Sequence, residues 1–172
     1  NRANSQWQWR RLMYFPKPTI AMVNGFCFGG AFQFLCACDL AVSADDATFG
    51  LSEINWGIIP AGNLAKAVAT VMNDKQAMYY IMTGETFDGR KAAELGIVTE
   101  AVPRERLRER VVQIARTLMD KNPTALRQAK VSYRYVSQMT WDEGAEYLVA
   151  KNEQTAYQDP ERSRARAMKQ FL

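Results

Sequence analysis

Two glycines separate two apolar stretches near the beginning of the chain. Before them, residues 18–24 (PTIAMVN) are apolar and β-branched and are followed by Gly25, which predicts a buried strand of the parallel-sheet kind. After Gly29 and Gly30, the segment AFQFLCAC has the length and apolar spacing of a short buried helix. DLAVSA and ATFGL predict two more strands around a DD turn, and SEINWGIIPAGN is rich in loop-forming residues. The front of the chain is therefore predicted to be an α/β unit.

The pattern from Asn63 onward is mostly helical. Asp88 is typical of an N-cap and Gly96 of a C-terminal stop, so a short helix is expected between them. An extended piece, IVTEAVP, ends at Pro103, which is the predicted boundary between the α/β front and an all-helical back. The predicted helices are NLAKAVATVM, DKQAMYYIMTG ending at Gly84, DGRKAAELG, ERLRERVVQIARTLMDKN, and three segments beginning at Thr124, at about Thr140 and after Asp159-Pro160.

The composition is that of one globular domain. The chain has 172 residues, of which 48% are hydrophobic and 23% charged; this is enough for one full-sized core with at most an appendage. No apolar run approaches the ~20 residues that a membrane-spanning helix needs. The opening segment, NRANSQWQWRRLMYF, has the pattern of an amphipathic helix instead of a secretory signal. We therefore expect a soluble, cytoplasmic protein without a membrane partner.

Three cysteines and the absence of histidine restrict the chemistry. Cys27, Cys36 and Cys38 lie in the most apolar part of the chain without C-x-x-C spacing, so free buried thiols are expected and a metal site is not. The chain contains no histidine, which excludes Ser-His-Asp and Cys-His nucleophilic chemistry within it. Any acid or base that it supplies must be Glu, Asp, Lys, Tyr or Cys.

The charge pattern disfavours a nucleic-acid partner. The formal net charge is +4, and basic residues concentrate after residue 100. The same stretch carries many Asp and Glu side chains and is predicted to be helical. A solvated helix face, or a site for a phosphorylated small molecule, explains this mixture better than a nucleic-acid surface.

Two features suggest a reaction site. Glu53 lies between apolar strand-like pieces in FGLSEINWGI. Apolar surroundings disfavour the charged form of a carboxylate, which allows it to act as a proton carrier near neutral pH. Its alternative roles are capping the following turn or pairing with an arginine. Gly29 and Gly30 at a helix start allow free backbone N–H groups to face an oxyanion or a phosphate, although a Gly-Gly pair also serves tight packing alone.

The segment KPTIAMVNGFCFGGAFQFLCACDLAVSADDATFGLSEINWGIIPAGN resembles the signature of the crotonase superfamily, the enoyl-CoA hydratase/isomerase family, and the resemblance continues through MTGETFDGRKAAELGIVTEAVP. It implies an α/β fold with a crotonase-like spiral ββα core and a C-terminal all-helical trimerisation region. Residues 1–103 are then expected to form the C-terminal part of the core, with its N-terminal half missing, and residues 104–172 the helical region. A homotrimer or a dimer of trimers is implied.

Within this superfamily, SQWQWRRLMYFPKPTIAMVNGFCFGG and FGLSEINWGI are most similar to the hydroxycinnamoyl-CoA (feruloyl-CoA) hydratase-lyases. The resemblance implies an acyl-CoA thioester substrate, feruloyl-, p-coumaroyl- or caffeoyl-CoA. Water is added across the side-chain double bond, and the product is cleaved to an aromatic aldehyde and acetyl-CoA. Coenzyme A is expected only as part of the substrate, with no permanently bound cofactor. The second oxyanion donor and part of the coenzyme A site are expected upstream of this chain.

The resemblance assigns catalytic roles by position. Gly30 matches the glycine whose N–H forms half of the oxyanion hole for the thioester oxygen. Glu53 matches the glutamate that activates water and exchanges a proton with the substrate. Gln33 stands where simple hydratases have a second catalytic glutamate and the hydroxycinnamoyl enzymes a serine. Because a glutamine holds a water or hydroxyl without exchanging protons, the single-glutamate mechanism of the lyases is implied; otherwise Gln33 bonds only backbone groups.

Substrate-binding residues are implied by the same segments. Gly29 adjoins the oxyanion glycine, and Trp56 belongs to the specific SEINWG run. A tyrosine that recognises the substrate phenol is expected in WDEGAEYLVAK, where the register falls on Tyr147 or on Val149. A tyrosine in an amphipathic helix also serves core or interface packing.

Two other functions remain open at this point. One is a plain enoyl-CoA hydratase or isomerase acting on a different acyl chain. The other is a crotonase-fold RNA-binding or scaffold protein, which would use the basic helices and would not need Glu53.

Overall fold

The computed structural model describes residues 6–159 of the chain. The strands are β1 (Ile20–Val23), β2 (Phe26–Phe28), β3 (Leu40–Ala44), β4 (Thr48–Gly50), β5 (Thr86–Asp88) and β6 (Glu100–Val102). The α-helices are α1 (Arg11–Met13), α2 (Ala31–Ala37), α3 (Leu64–Val68), α4 (Asp74–Thr83), α5 (Gly89–Glu94), α6 (Leu107–Met119), α7 (Pro123–Val136) and α8 (Trp141–Gln158). A π-helical stretch, Gln6–Arg10, precedes α1, and 3-10 helices span Ser52–Trp56 and Arg104–Arg106. Within this range no helix combines the length and the apolar character needed to cross a membrane.

The strands form two three-stranded sheets. In the first sheet, the parallel strands follow the order β1-β3-β6. In the second, β2 pairs in parallel with β4, and β4 pairs antiparallel with β5. The central strand β3 is buried along Ala41–Ala44, as expected for a continuous apolar run in a parallel sheet. Among residues 6–159, β1 pairs only with β3 and is half-buried, with Met22 46% exposed. The predicted strand is therefore confirmed, but its full burial is wrong.

The α/β front follows the apolar pattern with a few differences. The helix after the glycines and the strands β3 and β4 are confirmed. The short strands β2 and β5 were not expected, and the predicted loop after β4 begins with the 3-10 helix Ser52–Trp56. Only Leu64–Val68 of the predicted helix NLAKAVATVM is α-helical. The largest fully buried side chains are Phe32, Val42, Ser43, Phe49, Leu51, Leu64 and Val68.

Local capping chemistry fixes several helix ends. The Asp88 carboxylate accepts a hydrogen bond from the Lys91 N–H at 2.8 Å and starts α5 as predicted. Gly84 ends α4 with φ +65°. Thr140 and Glu143 form a reciprocal capping box at α8. The helix predicted after Asp159 lies outside the described residues.

The chain divides into two compact units, which are described separately. One holds the described residues up to Phe15 together with Thr19–Ala115; it contains both sheets. The other holds Pro16–Pro18 and the described residues from Arg116 onward. In the second unit, α7 and α8 pack together. The Tyr135 and Tyr147 rings lie 6.0 Å apart, and the buried Gly144 approaches the Val136 side chain.

Candidate active site

Parallel pairing of β2 and β4 brings the two sequence candidates to one edge of the second sheet. The register pairs Phe28 with Gly50, so Gly29 follows β2 where Leu51 follows β4. The Gly29 N–H donates to the Gly50 carbonyl at 3.2 Å, which continues the pairing beyond the strands. Carboxyl ends of parallel strands are where α/β folds commonly place ligand sites. The glycine turn and the segment that carries Glu53 therefore start side by side.

The Glu53 carboxylate lies directly against the glycine turn. A β-carbon at position 29 would be 2.6 Å from Glu53 Oε1, and Gly29 has φ +50°, a conformation that favours glycine. Glu53 Oε2 is sealed from solvent and has no hydrogen-bond partner within residues 6–159. Because a buried carboxylate oxygen normally has a partner, this atom is available to a water or a substrate group. Gly29 thus leaves room for the carboxylate.

Gly30 presents its backbone N–H at the start of α2. It is the N-cap residue of α2, with φ −53°, and is exposed. Its carbonyl accepts from the Gln33 N–H at 3.1 Å, but in the described part of the chain its own N–H forms no hydrogen bond. A β-carbon at position 30 would meet no atom within 4 Å. The turn therefore offers an open N–H donor next to Gly29 and the Glu53 carboxylate.

Gln33 is buried one helical turn after Gly30. It is 6% exposed. A β-carbon on Gly62, which has φ +65°, would lie 3.3 Å from its Nε2 atom. Among residues 6–159 the Gln33 amide forms no side-chain hydrogen bond, and neither of its polar atoms is among those sealed from solvent without a partner. The amide therefore contacts open space beside Gly62, where a ligand group or water can reach it.

The remaining sequence candidates belong to different compact units, and each is described within its own unit. Trp56 ends the Glu53-bearing 3-10 helix and is 79% exposed. Tyr147 belongs to the second compact unit, where its half-buried ring packs against Tyr135 and lies 5.6 Å from Lys151 Nζ. Val149 on the same helix is 62% exposed. These contacts give the Tyr147 ring a packing role within its own unit. A role of Tyr147 toward a substrate stays a prediction.

Cys27, Cys36 and Asp45, three other titratable groups of the first unit, are poorly suited to proton transfer. Burial raises the pKa of Cys27 to about 12 and, with the neighbouring thiols adding to burial, the pKa of Cys36 to about 12. A thiol with such a pKa is a poor nucleophile at neutral pH. Asp45 pairs with Arg90, whose hydrogen bond lowers the pKa of the carboxyl. Within the described range no cluster of three or more Cys, Asp or Glu side chains has the arrangement to hold a metal ion.

Two residues of this region were missed by sequence reasoning. Gly62 faces the Gln33 amide, and Asn55 donates from Nδ2 to the Gly84 carbonyl at 3.1 Å. The loop composition of SEINWGIIPAGN signalled turns but not these contacts, because the contacts depend on which distant element faces the loop. For the contact between Gly62 and Gln33, the local sequence offers one indication, the glycine in the Pro-Ala-Gly-Asn turn.

Comparisons with known proteins identify the relatives of this chain. A family profile described as Enoyl-CoA hydratase/isomerase matches residues 1–172. The chain is 54% identical over 171 residues to a hydroxycinnamoyl-CoA hydratase-lyase of Pseudomonas fluorescens, covering 99% of this chain and 62% of that protein. It is 34% identical to a carnitinyl-CoA dehydratase of Citrobacter koseri, covering 77% of this chain and 51% of that protein. An enoyl-CoA hydratase structure from Bacillus anthracis superposes with TM-score 0.88 and 26% identity, covering 98% of this chain and 67% of that one.

These matches confirm the α/β fold and the resemblance read from the sequence. The chain spans less than two thirds of the length of the first two of these relatives. The profile nevertheless covers the whole chain, and the chain belongs to the enoyl-CoA hydratase/isomerase family.

Proposed function

We propose that the full-length protein containing this chain is an acyl-CoA hydratase-lyase that acts on hydroxycinnamoyl-CoA thioesters. The observation that carries the proposal is the Glu53 carboxylate, which lies against Gly29 with Oε2 buried and without a partner in the described residues. The 54% identity to a hydroxycinnamoyl-CoA hydratase-lyase supports the substrate class. Coenzyme A enters as part of the substrate, and this chain supplies the Glu53 carboxylate and the Gly30 N–H to the reaction.

Hydration uses Gly30 and Glu53. The Gly30 N–H donates to the thioester oxygen and stabilises the negative charge that develops there; removing one such donor typically costs about 3 kcal/mol. Glu53 takes a proton from water as the water oxygen bonds to the β-carbon. The protonated Glu53 then returns that proton to the α-carbon of the enolate, which gives the β-hydroxyacyl thioester. The Gln33 amide holds the water or the new hydroxyl, because it donates and accepts hydrogen bonds without titrating.

Cleavage reuses the same groups. Glu53 takes the proton of the β-hydroxyl, the bond between the α- and β-carbons breaks, and an aromatic aldehyde leaves. The electron pair remains as the enolate of acetyl-CoA, whose oxygen is held by Gly30. The proton on Glu53 returns to this carbon and completes acetyl-CoA. A single carboxylate thus serves both steps, and Gln33, which does not titrate, leaves Glu53 as the only proton carrier of this pair.

The remaining assignments are part of the same proposal. Trp56 and Tyr147 contribute to binding the aromatic acyl group, and the protein works in the cytoplasm as a homotrimer or a dimer of trimers. Residues 1–103 form part of the spiral core, and residues 104–172 mediate assembly. Mass measurement of the full-length protein in solution tests the assembly independently of activity.

A second candidate is a hydratase or dehydratase for another acyl chain. The carnitinyl-CoA dehydratase of Citrobacter koseri, at 34% identity, belongs to this class by name. Incubating the full-length protein with feruloyl-CoA separates the two candidates. Vanillin and acetyl-CoA in equal amounts support the lyase, and β-hydroxy thioester without aldehyde supports the alternative. No conversion of feruloyl-CoA or of a short enoyl-CoA contradicts both.

A further inference from the structure

The 3-10 helix Ser52–Trp56 that carries Glu53 has little apolar anchoring. None of its five residues is buried, and Ile54 and Trp56 are 45% and 79% exposed. Leu51, directly before it, is fully buried and ties its first end to β4. Because few buried contacts mean low local stability, another interaction must fix the helix if Glu53 is to keep its position.

Asn55 supplies that interaction at the middle of the helix. Its Nδ2 donates to the Gly84 carbonyl at 3.1 Å. A β-carbon on Gly84 would lie 2.6 Å from Asn55 Oδ1 and 2.7 Å from Nδ2, so the amide packs directly on the bare α-carbon. Gly84 has φ +65° as the residue that ends α4. The amide therefore makes both a hydrogen bond and a close contact that only glycine permits.

Gly84 is itself firmly held. It is buried, and its N–H donates to the Tyr80 carbonyl at 3.0 Å. Tyr80 packs on Phe87 with ring centroids 4.5 Å apart, and Phe87 stacks on Phe49 at 5.6 Å with 7° between the ring planes. Phe49 lies on β4, just before the Glu53 helix. The two attachments of the 3-10 helix, through β4 and through Gly84, thus rest on one cluster of three aromatic rings.

We propose that Asn55 is a positioning residue: its amide clamps the 3-10 helix 52–56 onto Gly84 and so holds the Glu53 carboxylate against Gly29. The inference rests on the proposed role of Glu53 as the proton carrier. Asn55 touches no reacting atom in this account. Its removal lets the carboxylate drift, and misplacement by about 1 Å lowers a rate by as much as about a hundredfold.

Asn73 offers a matched control, because it lies at the start of α4 and Gly84 lies at the end of that helix. Its Oδ1 accepts from the Gln76 N–H at 3.1 Å and caps α4. Asn73→Ala removes an asparagine contact to α4 and weakens that helix, but leaves the Asn55–Gly84 contact intact. Asn55→Ala and Asn55→Leu both remove the clamp, and the second keeps the branching and the number of side-chain heavy atoms. A folding failure of one variant therefore leaves the other to measure.

The experiment compares the full-length wild type, Asn55→Ala, Asn55→Leu and Asn73→Ala with feruloyl-CoA. We expect both Asn55 variants to lose about tenfold or more in kcat with little change in KM, and Asn73→Ala to keep kcat within about twofold. Hydrogen exchange gives a second measurement that needs no substrate. The Gly57 and Ile58 N–H groups, which donate to the Ile54 and Glu53 carbonyls, should exchange faster in the Asn55 variants only.

Unchanged exchange at Gly57 and Ile58 in the Asn55 variants overturns the clamp. Faster exchange with kcat equal to that of Asn73→Ala overturns its positioning role. If the wild type turns over no acyl-CoA, the proposed function fails. Faster exchange specific to the Asn55 variants would then still support the clamp, and unchanged exchange would overturn it.

Discussion

Two strands that follow one another in the first unit, β3 and β4, are both followed by carboxylates, but the surroundings of these carboxylates differ. After β3, Asp45 and Asp46 pair with Arg90 at 2.7 Å and with Arg104 at 2.8 Å. After β4, Glu53 forms no ion pair within residues 6–159, and its Oε2 atom is buried without a partner. A carboxylate paired with an arginine is held in its charged form. Glu53 instead lies against the glycine turn, and its proposed role in the reaction rests on this placement.

We call the end of β3, with Asp45 and Asp46, the aspartate edge, and the end of β4, with Glu53, the glutamate edge; the proposed chemistry belongs to the second. Arg104 also donates to the Asn24 carbonyl, so the aspartate edge ties loops together. At the glutamate edge, glycines at 29 and 62 keep space open beside Glu53 and Gln33. The expected effects of substitution therefore differ in kind: loss of turnover at one edge and small changes of stability at the other.

The largest effect is expected from Glu53→Gln. The substitution keeps the shape and removes the proton carrier, so kcat should fall about a thousandfold, within the range for general acid–base groups. Asp46→Asn removes a carboxylate of the other edge and should leave kcat within about twofold, because exposed ion pairs contribute little. Steady-state kinetics on feruloyl-CoA measure both. Similar losses in the two variants would erase the distinction between the edges.

A smaller loss is expected from Gly30→Pro. The φ of Gly30, −53°, suits proline, and Gly29 has no β-carbon to clash with the ring. The change therefore removes the N–H donor, and kcat should fall on the order of a hundredfold. Gly30→Ala keeps the donor and places its β-carbon in open space; it should retain most of the turnover. If proline and alanine behave alike while both proteins keep the wild-type melting temperature, the N–H is not an oxyanion donor.

Gln33→Met should separate activity from stability. The buried amide lacks an internal partner among the described residues, so an apolar side chain of similar length is neutral or stabilising. Turnover should drop about tenfold, the equivalent of one hydrogen bond to the substrate. Thermal unfolding gives the melting temperature, and steady-state kinetics on the same samples give kcat. A lower melting temperature with unchanged kcat would make Gln33 a structural residue.

The smallest effect is expected at the aspartate edge. The hydrogen bond from Arg90 lowers the pKa of Asp45, so the pair stabilises the fold fully above the ordinary pKa of an aspartate and loses this effect as pH falls through the lowered value. Arg90→Met should reduce the melting temperature slightly near neutral pH. The difference from wild type should shrink below about pH 4. A difference that grows in acid would contradict the pairing as the cause.

Local pattern predicted much of the fold. Strands β3 and β4, helix α2 and the ends at Asp88, Gly84 and Thr140 follow from apolar runs and capping residues within a few positions. The strands β2 and β5 were not predicted, because each has only three residues and is stabilised by pairing with β4. Such short strands are fixed by distant partners, which a local pattern does not contain.

The candidate site was predicted only in part, because its geometry also depends on partners that are distant in the sequence. Residue type and family resemblance selected Glu53, Gly30 and Gln33, but their placement depends on the register that sets Phe28 beside Gly50. Only the folded chain shows that Gly29 makes room for a carboxylate. The clamp through Asn55 involves Gly84, a residue of another element, and has no sequence signal of its own.

A crystal structure of the full-length Glu53→Gln protein with feruloyl-CoA tests the central claim most directly, since the blocked reaction leaves the thioester intact. We predict the thioester oxygen within about 3 Å of the Gly30 nitrogen, with the β-carbon beside the side chain at position 53 and the Gln33 amide facing the same space. A thioester bound away from the glycine turn would contradict the account.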